Sequence, residues 1–305
     1  MSIRNLITKL VPKETRFRCY KLESAGSSFS YFDSVDFTLI EARIPADNAL
    51  EDEMEKCNIT RIDNLHITSW DQDHCTLGDL NIILDNYKPR KIEYPGYAAE
   101  TDSAKACLAK IKEYESERKR LSQKINVISI TPEYIDSLNP ASKYHYKNIL
   151  FHPKTIWSKA NDNSTIKFFR KGMFNVLSLG DVEHEQIGAI IKNSKKAKET
   201  DILILPHHGA EGDILTRDFL RTITPQIAVC SSNYGNKHDH PRQEVRNLLS
   251  EMGIPLFTTK SNNVLIKSIG NHVADFEVVE LDSEHEEVIS GEKQKYRSKK
   301  YNALK

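Results

Sequence analysis

Hydrophobic segments of strand length along this chain repeatedly end at aspartate or histidine. The first, 65–67, leads into Asp71, Asp73 and His74. The other three are 174–179, followed by Asp181; 202–205, followed by His207 and His208; and 227–230, followed by Asn233, His238 and His240. Short apolar runs of this kind are typical of buried strands. Because ligand sites of layered α/β folds collect at the carboxyl ends of strands, these side chains are predicted to share one cleft.

Between these segments the chain alternates between strand-like and helix-like patterns. Helical spacing of apolar residues predicts helices over 49–57, 76–87, 101–124, 182–198, 214–222 and 241–252. A hairpin is predicted around Lys171-Gly172. From Asp181 onward, helices alternate with strands at 202–205, 227–231, 255–258 and 264–268. This alternation favours a layered α/β fold.

Carboxylates and imidazoles are the donor groups that proteins offer to divalent cations. Asp71, Asp73 and His74 lie within four residues of one another, and the His207-His208 pair precedes a glycine. Each motif alone has a simpler interpretation, because loops are often acidic and a turn can hold a buried histidine pair. The recurrence of the pattern after several strands favours a metal site.

Composition excludes several classes of protein. Lys+Arg and Asp+Glu both total 43, so the formal net charge is zero and contact with nucleic acid would need a local patch. No apolar run approaches the roughly 20 residues that span a bilayer, and the first residues lack the apolar core of a secretion signal. The five cysteines include no C-x-x-C pair. We therefore expect a cytoplasmic protein without membrane contact or a disulfide framework.

Taken together, the motifs resemble the metallo-β-lactamase fold, and specifically the hydrolase domain of ComEC-type DNA-uptake proteins. The matching segments are 26–28, 38–42, 69–74, 150–153, 161–164, 179–181, 206–209 and 233–241. The resemblance implies an α/β fold arranged as a four-layer αββα sandwich. We expect a lead-in over 1–15, a hydrolase domain over 16–280 and a charged, flexible tail over 281–305 that could dock a protein partner.

The resemblance also implies a metal centre. The family's first motif supplies two histidines, an aspartate and a final histidine; the corresponding residues here are Ser69, Asp71, Asp73 and His74. Serine is a poor ligand for a borderline cation, so the metal position at Ser69 and Asp71 is expected to be impaired. The other position keeps a full donor set, formed by Asp73, His74, Asp181 and either His207 or His208. One or two divalent ions are expected, with manganese favoured and zinc next.

Roles for individual residues follow from this chemistry. A divalent ion lowers the pKa of bound water from about 15.7 toward about 7 and polarises a phosphoryl oxygen. Asp73 is expected to orient the attacking water. His240, with His238 as the alternative, is expected to protonate the leaving oxygen, because histidine titrates near neutral pH. Asn233 and His238 are expected to contact the substrate.

Three functions remain open at this stage. The resemblance implies a metal-dependent phosphodiesterase, in particular a nuclease acting on DNA. A closed pocket would instead favour a small substrate such as a cyclic nucleotide. Loss of the first motif histidine at Ser69 would also suit a metal-degenerate domain that binds a partner. The oligomeric state is left open.

Overall fold

Two β-sheets form the centre of the structure, a computed structural model that describes residues 14–138, 149–269, 275–282 and 294–299. The first sheet has the order β15 (Gln294–Arg297), β14 (Asp275–Leu281), β13 (Asn263–Ile269), β1 (Arg16–Cys19), β2 (Phe29–Phe32), β3 (Phe37–Ile40), β4 (Asn64–His66), β5 (Lys91–Pro95) and β6 (Asn126–Ile130). The second has the order β12 (Leu256–Thr258), β11 (Ile227–Cys230), β10 (Ile202–Ile204), β9 (Val176–Ser178), β8 (Ile166–Phe169) and β7 (Ile149–His152). Strands β3 to β6 pair in parallel, as do β9 to β12, and the remaining pairs are antiparallel.

Helices connect the parallel strands within each sheet, and one more lies along the chain between β6 of the first sheet and β7 of the second. They are α1 (Ala49–Lys56), α2 (Leu77–Ile82), α3 (Asp102–Arg120), α4 (Pro132–Ser137), α5 (Glu185–Lys192), α6 (Arg217–Ile223) and α7 (Gln243–Glu251). A threonine hydroxyl accepts a backbone N–H at the start of four of them, at Thr76, Thr101, Thr131 and Thr216. Such caps satisfy amide groups that would otherwise lack a partner in the first turn.

Three buried apolar clusters lie between successive layers. One lies between the first sheet and helices α1 to α3, another between the two sheets, and the third between the second sheet and helices α5 to α7. Strand β10 shows the alternation that this requires: Ile202 and Ile204 face the other sheet, whereas Leu203 faces the helices. The predicted αββα sandwich is therefore confirmed.

The structure differs from the sequence-based prediction in places. Helix α5 is shorter than the predicted helix over 182–198, and the α-helix α2 ends at Ile82 rather than at 87. Within the predicted tail, residues 294–297 pair with β14 as an edge strand. Ser298 and the Lys299 amide then donate hydrogen bonds to the carboxylate of Asp201. These residues are thus not the flexible tail that the charged sequence predicted; 1–13, 283–293 and 300–305 lie outside the described residues.

Across the described ranges, no helix combines the length and apolar character needed to cross a membrane. The five cysteines are buried and free. Cys75, the neighbour of His74, is one of them.

His152 shows how a buried histidine supports this architecture without a catalytic role. Its ring is almost fully buried, and Nε2–H donates to the carbonyl oxygen of Asp162 at 2.6 Å. Its Nδ1 atom is buried without a hydrogen-bond partner in the described part of the chain. Burial lowers the pKa of His152 to about 4, because protonation would add an N–H that finds no acceptor. The Asp162 carboxylate in turn accepts the backbone amides of Glu183 and His184.

We predict that His152 destabilises the fold in mild acid. Its pKa of about 4 lies below the 6.5 of an unperturbed histidine, so the unfolded chain binds more protons between these values. Stability should therefore fall as the pH drops through this window, by at most about 3 kcal/mol. Urea unfolding from pH 7 to 4 should show a shallower decline for His152→Gln, which can still donate to Asp162. Parallel pH profiles for the two proteins would contradict this assignment.

Candidate metal centre

The candidate centre lies where strand ends of both sheets converge. The loop after β4 carries Asp73 and His74, the turn after β9 carries Asp181, and the turn after β10 carries His208. Because β9 and β10 are parallel neighbours, their carboxyl ends lie side by side. A backbone hydrogen bond from His207 N to Gly180 O, 3.0 Å long, joins the two turns.

Asp73, His74, Asp181 and His208 each offer one ligand atom to a common point. These atoms all lie within 4.8 Å of one another. His74 Nε2 is 2.8 Å from Asp181 Oδ2, and His208 Nε2 is 3.1 Å from Asp73 Oδ2. His74 Nε2 is nevertheless a buried atom without a hydrogen bond among the described residues. A buried nitrogen aimed at two carboxylates without hydrogen-bond geometry fits a cation between them, so this donor set suits a divalent metal.

The rings of His74 and His208 are each held in place by a contact at Nδ1. The Nδ1 atom of His74 lies 3.2 Å from Glu41 Oε1, and the Nδ1–H of His208 donates to the carbonyl of Ser231 at 2.9 Å. Thr68 fixes Glu41 in turn, because its backbone N–H and its hydroxyl donate to the two carboxylate oxygens at 3.0 and 2.6 Å. These contacts leave Nε2 of each ring for a ligand, as in most histidine–metal sites.

Negative charge exceeds positive charge around the buried His74 ring. Burial lowers the pKa of His74, but Asp181, Glu41 and Asp73 outweigh it and raise this pKa well above its usual range. The opposite balance holds for Asp181. Burial raises the pKa of its carboxyl group, but the neighbouring His74 and His208 outweigh burial and bring this pKa below its usual value. Buried carboxylates need such compensation, and a divalent cation supplies it by replacing the protons.

The turn that carries His207 and His208 has a strained backbone. Both residues adopt left-handed conformations, with φ of 45° and 53°, which non-glycine residues rarely populate. Gly209 follows with φ of 77°, and a Cβ atom there would lie 2.6 Å from Pro241 Cβ. Only glycine fits that position. Backbone outliers of this type persist where surrounding contacts enforce them and are frequent at functional sites.

The paired histidines take different positions. His208 belongs to the group of four, whereas His207 Nδ1 contacts Glu183 Oε1, and burial lowers the pKa of His207. Of the two alternatives left open by the sequence, the structure thus brings His208 to the ligand cluster.

Asp71 also lies outside the group of four ligands. Ser69 Oγ lies 3.3 Å from Asp71 Oδ2 and 3.1 Å from the Tyr97 hydroxyl. Burial first, and then the charges of Asp73 and Asp181, raise the pKa of Asp71. Ser69 stands where the first histidine of the family motif would be, and it forms hydrogen bonds with Asp71 and Tyr97 there.

The loop after β11 brings His240 beside the centre. The His240 ring stacks on His208 with centroids 6.5 Å apart, and the exposed His238 ring lies 5.4 Å from His240. Burial, His208 and His207 lower the pKa of His240 to about 4, so the ring is neutral at pH 7. A neutral imidazole is a weak proton donor, which opposes the acid role predicted for it unless a substrate anion raises this pKa. Asn233 donates to Tyr234 O at 3.4 Å within the same loop.

Three residues of the site were missed from the sequence. Glu41 orients His74, Glu183 contacts His207, and Asn236 holds the loop of His240 by bonds to His240 N and O of 2.7 and 2.9 Å. Glu41 carried a usable signal, because a carboxylate inside an apolar strand must find a buried partner. Glu183 and Asn236 lie in polar loops and carried none.

Curated relatives match part of the chain, and no family model matches it. The chain is 26% identical over 227 residues to ComE operon protein 3 of Bacillus subtilis (strain 168), covering 72% of this chain and 26% of that protein. It is 28% identical over 95 residues to competence protein ComA of Neisseria gonorrhoeae, covering 31% of this chain and 14% of that protein. The chain thus spans about a quarter or less of these relatives. These matches confirm the predicted resemblance to ComEC-type proteins, and the layers described above agree with the αββα sandwich that this resemblance implies.

Two solved structures are also similar. Igni18, a metallo hydrolase of Ignicoccus hospitalis KIN4/I, has a TM-score of 0.47 at 13% identity and covers 82% of this chain and 98% of its own. A diphosphatase of the PhnP family has a TM-score of 0.43 at 13% identity and covers 83% of this chain and 98% of its own.

We predict that a divalent ion stabilises this protein through the four converging side chains. An ion at 100 times its dissociation constant adds about 2.7 kcal/mol, which raises the melting temperature by several degrees. Differential scanning fluorimetry after chelation and readdition of manganese or zinc measures this. Asp181→Asn should abolish the rise, and the exposed Asp85→Asn should retain it. An equal rise in Asp181→Asn would place the ion elsewhere.

Glu41 should control how tightly the ion binds. The change Glu41→Gln keeps the shape but removes the charge behind His74, so manganese affinity should fall by about 10- to 100-fold. Isothermal titration calorimetry should measure the manganese affinity of Glu41→Gln and of a control, Glu55→Gln. Glu55 is an exposed residue of α1. Unchanged affinity in Glu41→Gln would show that His74 needs no support from Glu41.

Proposed function

We propose that this chain is a metal-dependent phosphodiesterase, in particular a nuclease acting on DNA, that works with one divalent ion. The observation that carries the proposal is the convergence of Asp73, His74, Asp181 and His208 on one point. The cluster is also accessible from one side, since the side chains of His74 and Asp181 are 3% exposed but that of Asp73 is 31% exposed. A substrate can reach the centre along the Asp73 side.

A single ion is favoured by the hydrogen bonds at the impaired position. Ser69, Asp71 and Tyr97 satisfy one another there, and the Tyr97 hydroxyl also accepts the backbone N–H of Trp70 at 2.9 Å. A second cation would have to break these bonds and would gain only one carboxylate ligand. Manganese is the favoured ion, because two carboxylates make the donor set oxygen-rich, and zinc is the alternative.

When bound, the ion would lower the pKa of water to near neutral and polarise a phosphoryl oxygen. Asp73 is suited to orient that water. Burial raises its pKa, but His74 and His208 hold it below its usual range, so it stays an acceptor at neutral pH. We propose that His240, which stacks on His208, protonates the leaving oxygen when a bound phosphate raises the pKa of its ring. Asn233 and His238 border the same loop and are proposed to contact the substrate.

DNA is the proposed substrate because of the resemblance to ComEC-type DNA-uptake proteins. The zero net charge means that phosphate contacts would be local rather than global. A cyclic nucleotide or another small phosphodiester is the second candidate, and a pocket of about 200 Å³ lined in part by Asp71 supports it. Partner binding by the charged C-terminal residues also remains a proposal.

The proposal is tested with full-length protein loaded with manganese. We expect cleavage of single- and double-stranded DNA fragments to be lost in the double variant Asp73→Ala, His74→Ala. The cleavage rate should fall by more than about 10- to 100-fold, the loss expected when a residue that only supports a metal ligand is removed. Asp85→Asn is the control for handling and folding. Metal analysis should find one ion per wild-type chain and none in the double variant.

Equal rates in wild type and double variant would end the nuclease proposal. Hydrolysis of cyclic dinucleotides or bis(p-nitrophenyl) phosphate with intact DNA would select the small-substrate alternative. Two ions per chain would contradict the single-ion centre.

A further inference from the structure

A pocket of about 200 Å³ lies on the Asp71 side of the candidate centre. Its walls include Trp70, Tyr97 and Trp157, and polar groups of Asp71, Glu100 and Thr101 border it. The chain contains two tryptophans, and both line this space. We call it the tryptophan pocket. Nothing in the chemistry of the four converging ligands requires an aromatic cleft here.

One wall of the tryptophan pocket is fixed by bonds between Trp70 and Tyr97. The indole Nε1–H of Trp70 donates to the Tyr97 carbonyl at 3.2 Å, and the backbone N–H of Trp70 donates to the Tyr97 hydroxyl at 2.9 Å. That hydroxyl is also 3.1 Å from Ser69 Oγ. The wall is therefore rigid and continuous with the first motif.

Another part of the lining, around Trp157, is fixed by Asn163. Its side-chain oxygen accepts the backbone N–H of Trp157 at 2.6 Å, and its amide donates to the Trp157 carbonyl at 2.8 Å. The Trp157 ring packs on His184 with centroids 4.6 Å apart, and the neighbouring Ile156 is 54% exposed. The Trp157 Nε1–H is buried without a hydrogen-bond partner in the described ranges. The Trp157 ring and the exposed Ile156 side chain thus give the tryptophan pocket an aromatic and apolar lining on this loop.

The chemistry of the tryptophan pocket favours a planar heterocycle over a phosphate. Asp71 and Glu100 at its border repel anions but can accept hydrogen bonds from amino groups of a base. Indole and phenol rings stack on any base, because every base has a π face. The volume admits one ring system rather than a base pair.

We propose that the tryptophan pocket binds the nucleobase next to the scissile phosphate; this inference rests on the proposed function. Asp71 lies two residues before Asp73 and lines the pocket, so a base held there leaves its phosphate near the ion ligands. An unpaired base is required, because enzymes reach a base only in a single strand or after extruding it from the duplex. The pocket therefore selects single-stranded nucleic acid or a small nucleotide.

Intrinsic fluorescence tests this directly, since both tryptophans report from the pocket. Manganese-loaded full-length protein is titrated with deoxyadenosine monophosphate and, separately, with deoxyribose 5-phosphate, which lacks a base. We expect saturable quenching by the nucleotide alone. Trp157→Leu should weaken binding about 5- to 150-fold, the range of a lost stacking contact, with Trp70 as the reporter. Trp157→Phe retains a stacking face and should bind nearly as well as wild type. The exposed Val35→Ala serves as the control.

Equal quenching by the two phosphates would overturn the base-binding role. So would unchanged affinity in Trp157→Leu with normal melting temperature and metal content. Hydrolysis of bis(p-nitrophenyl) phosphate separates the two proposals. If the protein hydrolyses this ester but does not bind the base, the base-binding proposal is refuted and the enzymatic proposal stands. If the protein binds the base but hydrolyses neither this ester nor DNA, the enzymatic proposal is refuted and the base-binding site stands.

Discussion

The buried imidazole of His74 is the contact on which the arrangement of both sheets around the site depends. Its Nδ1 lies 3.2 Å from Glu41, just after β3 of the first sheet, and its Nε2 lies 2.8 Å from Asp181, just after β9 of the second. Carboxylates out of reach of water require a positive partner. The strand ends therefore cannot separate without leaving a buried charge unpaired, and the same requirement creates the affinity for a cation.

A second polar cluster between the sheets shows why charge balance distinguishes a structural cluster from a metal site. Glu93 on β5 accepts from Lys167 on β8 and lies 2.8 Å from His66 Nδ1. Burial raises the pKa of Glu93, but Lys167 and His66 outweigh it and hold this pKa well below its usual range. The Lys167 ammonium group supplies the positive charge that balances Glu93. The charges of the Glu93 cluster are balanced within the chain, whereas the group of Asp73, His74, Asp181 and His208 is suited to a cation.

Polar contacts hold the side chains around the centre in place, in addition to the apolar packing of neighbours such as Trp70. Each ligand imidazole is held at Nδ1, and the His207-His208 turn keeps its left-handed backbone through contacts with neighbouring turns. The walls beside Asp71 are held in the same way by Ser69, Tyr97 and Asn163. Loops fixed like this hold reacting groups without an entropic cost on binding, which is the general advantage of a preorganised site.

The sequence by itself determined the layered α/β class, the strands whose ends carry aspartate or histidine, and the departure at Ser69. These features are local, because periodicity and the residue at a strand end are visible within a few positions. Tertiary structure decided that His208 rather than His207 joins the candidate metal group, that Glu41 contacts His74 Nδ1, and that residues 294–297 add an edge strand. Each of these depends on partners far away in sequence: Glu183 and Ser231 fix which way each histidine points, and β14 pairs with a charged segment that lacks a strand pattern of its own.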